Sequence, residues 1–400
     1  MPESTPQSAS ARLTPVAARS ALAVSAVLTV VLVAVTLSPL AQSNADPSRR
    51  RQGDVQLYRA EVERIHDGAG YYAAAGAELR QRGYPTASVF NWRTPLPMWL
   101  IGSLPDVALG KAILGILSLA VLLLLSFEAM ARDRQPVPVR GFPAAAIASA
   151  EKQSCRDHQR DAEPSNGTGL APAILAAVLL TGPLMFCVLG ELYVMPVLWA
   201  GVLIALSVGC YGVGRPGWGV AFGLAAVVFR ELAMPYCLVA AGLAVWERRW
   251  REAVAWALGL GAYLALFGLH AWHVLGLIRP EDAAHAEGWL QLGGAAFVLS
   301  TAQINAYLLL LPQWLTALYF AAAMLGLAGW DTPLGRRVAL TVCLFVLAFA
   351  LVGQPFNQYW GALYTPLLCL GAARAPWAVR DLLQPFAGTV AFRRAVRLTR

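Results

Sequence analysis

Charge is scarce in this chain. Only 14% of its 400 residues are Asp, Glu, Lys or Arg, whereas an ordinary soluble domain carries about 25%. Lysine is nearly missing and occurs only as Lys111 and Lys152. The six cysteines, Cys155, Cys187, Cys210, Cys237, Cys343 and Cys369, lie far apart with no CxxC spacing. That pattern excludes a disulfide framework and a zinc site built on closely spaced sulfur ligands. A Walker loop and a GxSxG elbow are also missing, so neither P-loop nor hydrolase-triad chemistry is indicated.

Apolar residues take the place of the missing charge. They make up 58% of the chain, and the mean hydropathy is +0.54. One soluble core could not hide that much apolar surface, so the sequence predicts an all-α polytopic membrane protein. Ten apolar runs are candidate spans: 21–41, 107–131, 170–189, 193–211, 218–229, 232–246, 253–275, 306–329, 338–352 and 359–372. Several are shorter than the roughly 20 residues a straight span needs. The first run has a rival reading as a signal peptide cleaved at Ala41-Gln42-Ser43, but its length favours an uncleaved anchor.

The formal net charge is +8. In a soluble protein this would suggest nucleic acid. Here most arginines sit between apolar runs, so membrane orientation is the simpler reading and no nucleic-acid partner is expected. With a cytoplasmic N-terminus, the basic residues recur in alternate segments: Arg12 and Arg19; Arg132 to Arg160; Arg215; Arg248, Arg249 and Arg251; Arg336 and Arg337; and Arg374 to Arg400. This predicts about ten spans with both ends inside. The expected organisation is a cytoplasmic segment 1–20, a membrane domain 21–375 and a basic tail 376–400. Within the membrane domain, 42–105 is the first extracytoplasmic loop and 132–169 a flexible cytoplasmic loop. Asn166-Gly167-Thr168 matches a glycosylation acceptor but falls on the inner side.

The first outside loop breaks the charge rule, with eight arginines and six acids. The rule is weak for long loops, so a soluble, charge-balanced loop and a loop that handles an anionic substrate both fit. Val55, Tyr58, Val62 and Ile65 follow helical spacing, and Gly53-Asp54 stands where an N-cap belongs. Asp67-Gly68 breaks that helix, and a second is expected from Tyr71 to Arg82. The segment 94–104, bounded by prolines, is too short to cross and should lie in the interface, anchored by Trp92 and Trp99.

These features resemble the GT-C glycosyltransferases. The matching residues are Asp54 with Tyr58, Gly70-Tyr71-Tyr72, Arg82-Gly83-Tyr84-Pro85 and Asn91-Trp92-Arg93-Thr94-Pro95. Phe229-Arg230-Glu231-Leu232 and Asn357-Gln358-Tyr359-Trp360-Gly361 look like bacterial members that use polyprenyl-phosphate sugars. The likeness is strongest over residues 20–131 and generic afterwards. It implies a GT-C-like bundle whose first extracytoplasmic loop is helical and carries a catalytic acid near its start. It also implies transfer of a hexose, such as mannose, from a polyprenyl-phosphate donor to a lipid or glycan acceptor. Oligosaccharyltransferase-like members pair acids around a metal, but Asp54 has no acidic neighbour at one or two positions. No cofactor is therefore expected, and a divalent metal is left open.

Such a transfer needs a base for the acceptor hydroxyl, cations for phosphate and a groove for the lipid. Asp54 is the base candidate, with helix capping as the alternative. Arg93 and Arg230 are candidates for phosphate, Arg93 with an alternative role as an interfacial anchor. Arg230-Glu231 interrupts an apolar stretch, where ionisable residues usually face the interior or a cavity, with a structural ion pair as the alternative. Glu191 lies at the next outer turn, while Tyr58, Asn357 and Tyr359 could contact sugar. Glu61 and Glu63 read as solvated, Asp67 as a turn residue, and His270 and His273 as an interfacial pair. Two other functions remain open, a transporter or lipid flippase and a non-catalytic membrane scaffold. Repeat symmetry between halves would favour the first, and none is visible in the sequence.

Overall fold

The computed structural model describes residues 15–37, 48–132, 170–284 and 291–398. The expected cleavage site at Ala41, the segment with Lys152 and Asn166, and the extreme termini lie outside these residues. Among the described residues, every regular element is helical. In chain order the α-helices begin with α1 (Pro15–Leu37), α2 (Ser48–His66), α3 (Tyr71–Gln81) and α4 (Leu96–Gly102). Next come α5 (Leu109–Arg132), α6 (Leu170–Leu184), α7 (Pro196–Gly212), α8 (Pro216–Phe229), α9 (Met234–Trp246) and α10 (Trp250–Leu275). The last are α11 (Gly294–Ala302), α12 (Ala306–Leu309), α13 (Gln313–Ala328), α14 (Pro333–Leu351) and α15 (Thr365–Leu398).

Among the described residues, three segments are long and apolar enough to cross a membrane: Leu109–Phe127, Trp250–Leu275 and Pro333–Leu351. At 1.5 Å per residue the shorter two reach about 28 Å, close to the thickness of a bilayer's hydrocarbon core. Their outer faces are greasy. Along α10, Leu258, Leu264, Leu266, Leu269 and Trp272 are all exposed, a face that water would disfavour and lipid accepts. Six further apolar helices are shorter.

Two expected spans are broken, for local reasons. The run 306–329 divides into α12 and α13, with Pro312 extended between them (ψ 143°). Proline disfavours helical backbone in the residue before it, and its own missing N–H cannot continue the ladder. The run 359–372 begins as a 3-10 segment, Pro355–Leu363, and becomes α-helical only at Thr365. Conversely, α11 lies outside every expected run. Several helices start with proline at the first or second position, as in α7, α8, α9 and α14. There the missing N–H costs nothing.

The 3-10 segment is sunk into the bundle. Asn357, Gln358, Tyr359 and Trp360 are all buried. Glycine makes this possible at two contacts. A Cβ on Gly201 of α7 would lie 2.1 Å from the Ala362 carbonyl oxygen, and one on Gly361 would lie 1.8 Å from the Thr301 carbonyl oxygen of α11. Both opposing atoms are backbone, which cannot swing aside. Gly361→Ala should therefore destabilise the fold by about 1–3 kcal/mol, the usual cost of overpacking. Thermal unfolding in detergent measures this, and an unchanged midpoint would mean that the segment relaxes freely.

Helices α2 to α4 and the turns between them form a helical cap. The α2 helix packs on α3 and α4, with Gly68 (φ 97°) and Gly83 (φ 68°) supplying the left-handed turns at the ends of α2 and α3. Thr94 Oγ1 donates to the Val228 carbonyl of α8 at 3.1 Å, and Arg80 forms a fork with Asp282 at 2.9 and 3.0 Å. These bonds tie the cap to the membrane-type helices. Trp99 is exposed as expected, but Trp92 is only 2% exposed and donates its indole N–H to the Thr86 carbonyl. Trp92 is therefore a core residue, not an interfacial anchor.

Candidate functional site

Asp54, Tyr58 and Glu61 are spaced four and three residues apart, so they share one face of α2. That face looks into a cavity of about 420 Å³. The opposite walls come from Arg82, Tyr84, Asn91 and Arg93 on one side and Phe356, Asn357 and Tyr359 on the other. Asp54, Tyr58, Arg93, Asn357 and Tyr359, singled out from sequence, thus meet in one space.

Asp54 lies inside α2, not before it, because the helix begins at Ser48. The capping alternative is thereby corrected. Its Oδ1 instead accepts a hydrogen bond from the Tyr84 hydroxyl at 2.8 Å. Burial, then the Asp54 carboxylate beside it, pushes the Tyr84 phenol upward, so Tyr84 stays a donor. Gly53 leaves room for that ring, since a Cβ there would sit 3.1 Å from the Tyr84 oxygen.

Arg93 is fixed from three sides. Its Nε donates to the Tyr58 hydroxyl at 3.1 Å, and its Nη1 donates to the Phe90 carbonyl at 3.0 Å and to Glu231 Oε1 at 3.3 Å. Tyr71 donates to the carbonyl of Arg93 itself. The same Glu231 oxygen lies 3.6 Å from Arg230 Nη1. One carboxylate therefore bridges two guanidiniums. The helical ladder ends at Phe229, and Arg230 is extended (φ −151°, ψ 118°), which turns this pair toward the cap. Arg230 is 2% exposed and its Nε has no hydrogen-bond partner. Neither Arg230 nor Glu231 lines the cavity; they stand directly behind Arg93.

Glu191 is placed elsewhere. Its side chain is 45% exposed and lies 4.0 Å from Arg59, on a different face of α2. Glu61 departs from expectation in the other direction. It was read as solvated, yet it is 2% exposed, lines the cavity, and its Oε2 has no hydrogen-bond partner. Desolvation pushes its carboxyl up to about 8. Glu78 on α3 shows the contrast. Burial opposes its ionisation too, but hydrogen bonds from Arg64 and Arg82, at 2.5 and 3.0 Å, hold it below its ordinary range. Glu63 remains exposed and pairs with Arg59 at 2.8 Å.

The sequence motif Arg82-Gly83-Tyr84-Pro85 contains two of the cavity residues, Arg82 and Tyr84, without assigning either a site role, and the sequence reading places Glu61 outside the site. The only available signal for Glu61 was its position two turns beyond Asp54 on the same face.

A second concavity, an apolar groove of about 580 Å³, begins at the next residue after Arg93. Thr94, Pro95, Leu96 and Trp99 form one side, and Val228, Tyr263, Phe267, His270 and His273 the other. His270 Nε2 lies 3.2 Å from the Trp92 carbonyl and Nδ1 lies 3.1 Å from the Tyr72 hydroxyl. The carbonyl can only accept, so Nε2 carries the proton and Tyr72 donates to Nδ1. His270 is consequently a buried joint between cap and α10, not half of an interfacial pair; His273 is exposed. Among the described residues, no group of three or more His, Cys, Asp or Glu is placed to hold a metal ion. Comparisons of this chain with protein-family models, with curated proteins and with solved structures gave no match.

Proposed function

We propose that the chain is a GT-C-type glycosyltransferase that moves a hexose from a polyprenyl-phosphate donor to a lipid or glycan acceptor. The observation that carries this reading is the sharing of one cavity by a carboxylate and a guanidinium, Asp54 and Arg93. In the proposed reaction Asp54 takes the proton of the acceptor hydroxyl, whose oxygen attacks the anomeric carbon. The bond from that carbon to the phosphate oxygen breaks, and polyprenyl phosphate leaves with the electron pair. One displacement inverts the anomeric centre. Arg93 holds the phosphate in the donor and stabilises the charge that grows on it as it leaves. The groove after Thr94 is wide and apolar enough for a prenyl tail that continues into lipid. The reading includes about ten spans in a bacterial inner membrane, termini in the cytoplasm, and the cavity on the outer side.

A structure without a cavity joining Asp54 to Arg230 would favour the scaffold alternative; here Asp54 lines the cavity, whereas Arg230 does not line it and is linked to Arg93 through Glu231. Mass spectrometry of lipid retained by protein purified in mild detergent tests the donor class. Polyprenyl phosphate or its hexosyl form is the expected species. Retention of phospholipid alone, with no transfer from a labelled polyprenyl-phosphate hexose, would favour a flippase or scaffold.

A further inference from the structure

We infer that Glu61 and Asn357 form a hydroxyl-recognition pair for the sugar unit of the ligand, with Glu61 acting as a neutral carboxylic acid. The inference deepens the proposed function and rests on it for the choice of donor. Its basis is a pair of polar atoms left without partners in one cavity. Glu61 Oε2 and Asn357 Nδ2 are both buried, both lack a hydrogen bond, and both residues line the space next to Asp54. Glu61 is 2% and Asn357 3% exposed. Buried polar atoms are nearly always paired, because leaving one unpaired forfeits its full hydration. Two on residues that line one cavity suit a ligand that brings its own hydroxyls. A carboxylic acid and an amide can each donate and accept, which is what a sugar hydroxyl requires.

The charge balance of the site supports a neutral Glu61. Three carboxylates, Asp54, Glu78 and Glu231, are set among four guanidiniums, Arg64, Arg82, Arg93 and Arg230. With Glu61 uncharged, one positive charge is left over for a phosphate. An ionised Glu61 would cancel it and place a bare carboxylate beside the anion. The groups around Glu61 are Asp54 and Tyr58 on its own helix, Tyr71 and Glu78 on α3, Arg82 and Tyr84 in the turn, Arg93, and Tyr359 on the 3-10 segment. Desolvation outweighs the two arginines, and Glu78 and Asp54 add to it, so the acid stays largely protonated at neutral pH and ionises near pH 8.

The test uses full-length protein in nanodiscs, binding three probes between pH 6 and 9. These are a short-chain prenyl-phosphate mannose, the methyl ester of the same prenyl phosphate as a sugar-free lipid that is likewise a singly charged diester, and methyl mannoside. Thermal midpoints confirm that each variant folds. The sugar-bearing lipid should outbind the sugar-free lipid by about tenfold or more at pH 6–7. That preference should shrink as pH rises through about 8. Glu61→Gln, a neutral isostere, should keep the preference and make it independent of pH. Glu61→Ala and Asn357→Ala should lose it while leaving the affinity for sugar-free lipid unchanged. A preference lost in Glu61→Gln as fully as in Glu61→Ala overturns the inference, since Glu61 would then act as a carboxylate. So does a preference that survives Glu61→Ala. If neither lipid binds but methyl mannoside binds with the same Glu61 dependence, the donor reading fails and the recognition pair stands. If no sugar-bearing probe binds, both fail.

Discussion

Asp54→Asn should reduce transfer by about 10²-fold or more while donor binding and stability stay close to wild type. The reason is specific to its surroundings. Asparagine keeps the side-chain oxygen that accepts from Tyr84 at 2.8 Å. The position is inside α2 rather than at its cap, where Asn and Asp have similar helix propensity. The amide differs in that it cannot take a proton, and positioned general-base catalysis supplies about 10²–10⁴-fold. The measurement is turnover of a labelled polyprenyl-phosphate hexose with a membrane acceptor extract, alongside donor affinity and thermal midpoint. Near-normal turnover in Asp54→Asn would remove Asp54 from the chemistry and leave it as the partner of Tyr84.

Arg93→Ala should fail in two measurements at once. Arg93 is tied to Tyr58, Phe90 and Glu231, and its loss leaves Glu231 with Arg230 alone at 3.6 Å. Breaking a buried ion pair by deleting one partner costs about 3–5 kcal/mol. The Glu231 side chain is 27% exposed and keeps Arg230 as a partner, so the expected loss falls below that range, at about 1–2 kcal/mol. Donor affinity should fall about 10- to 100-fold as well, because a charge-assisted contact to phosphate disappears. Arg93→Lys separates the effects. The ammonium keeps the charge beside Glu231, so stability should recover in part. It cannot make the fork that a guanidinium presents to Tyr58, Glu231 and phosphate together, so affinity should stay low. If Arg93→Ala unfolds less readily than expected and binds donor normally, Arg93 is neither the phosphate ligand nor the centre of the charge cluster.

The sequence by itself determined the class of structure and the local elements of the cap. Apolar composition and scarce charge predict apolar helices, and every regular element among the described residues is helical, with three segments long and apolar enough to cross a membrane. The stripe of Val55, Tyr58, Val62 and Ile65 marked the buried side of α2; the last three are buried and Val55 is half-buried. Gly68 and Gly83 marked the turns, where φ is positive. The break at Arg230 was visible as charge inside an apolar run. These are short-range effects, set by residues a few positions apart.

Only the tertiary structure decided which charged residues share the cavity. Glu61 and Glu63 are two positions apart, and both read as solvated. Glu61 is buried because α3, its following turn and the 3-10 segment close over one face of α2 and leave the other open. Glu191 and Glu231 both lie in turns between apolar runs, yet Glu191 meets exposed Arg59 while Glu231 joins buried Arg230 and half-buried Arg93. The run 359–372 has the composition of a span, but Gly201 and Gly361 let its first half approach neighbouring backbone as a buried 3-10 segment. That arrangement brings Asn357 and Tyr359 to face Asp54 across about 300 residues of chain. The strength of a charge or an orphaned polar atom depends on what closes over it. That is set by long-range packing and desolvation, which no local spacing records.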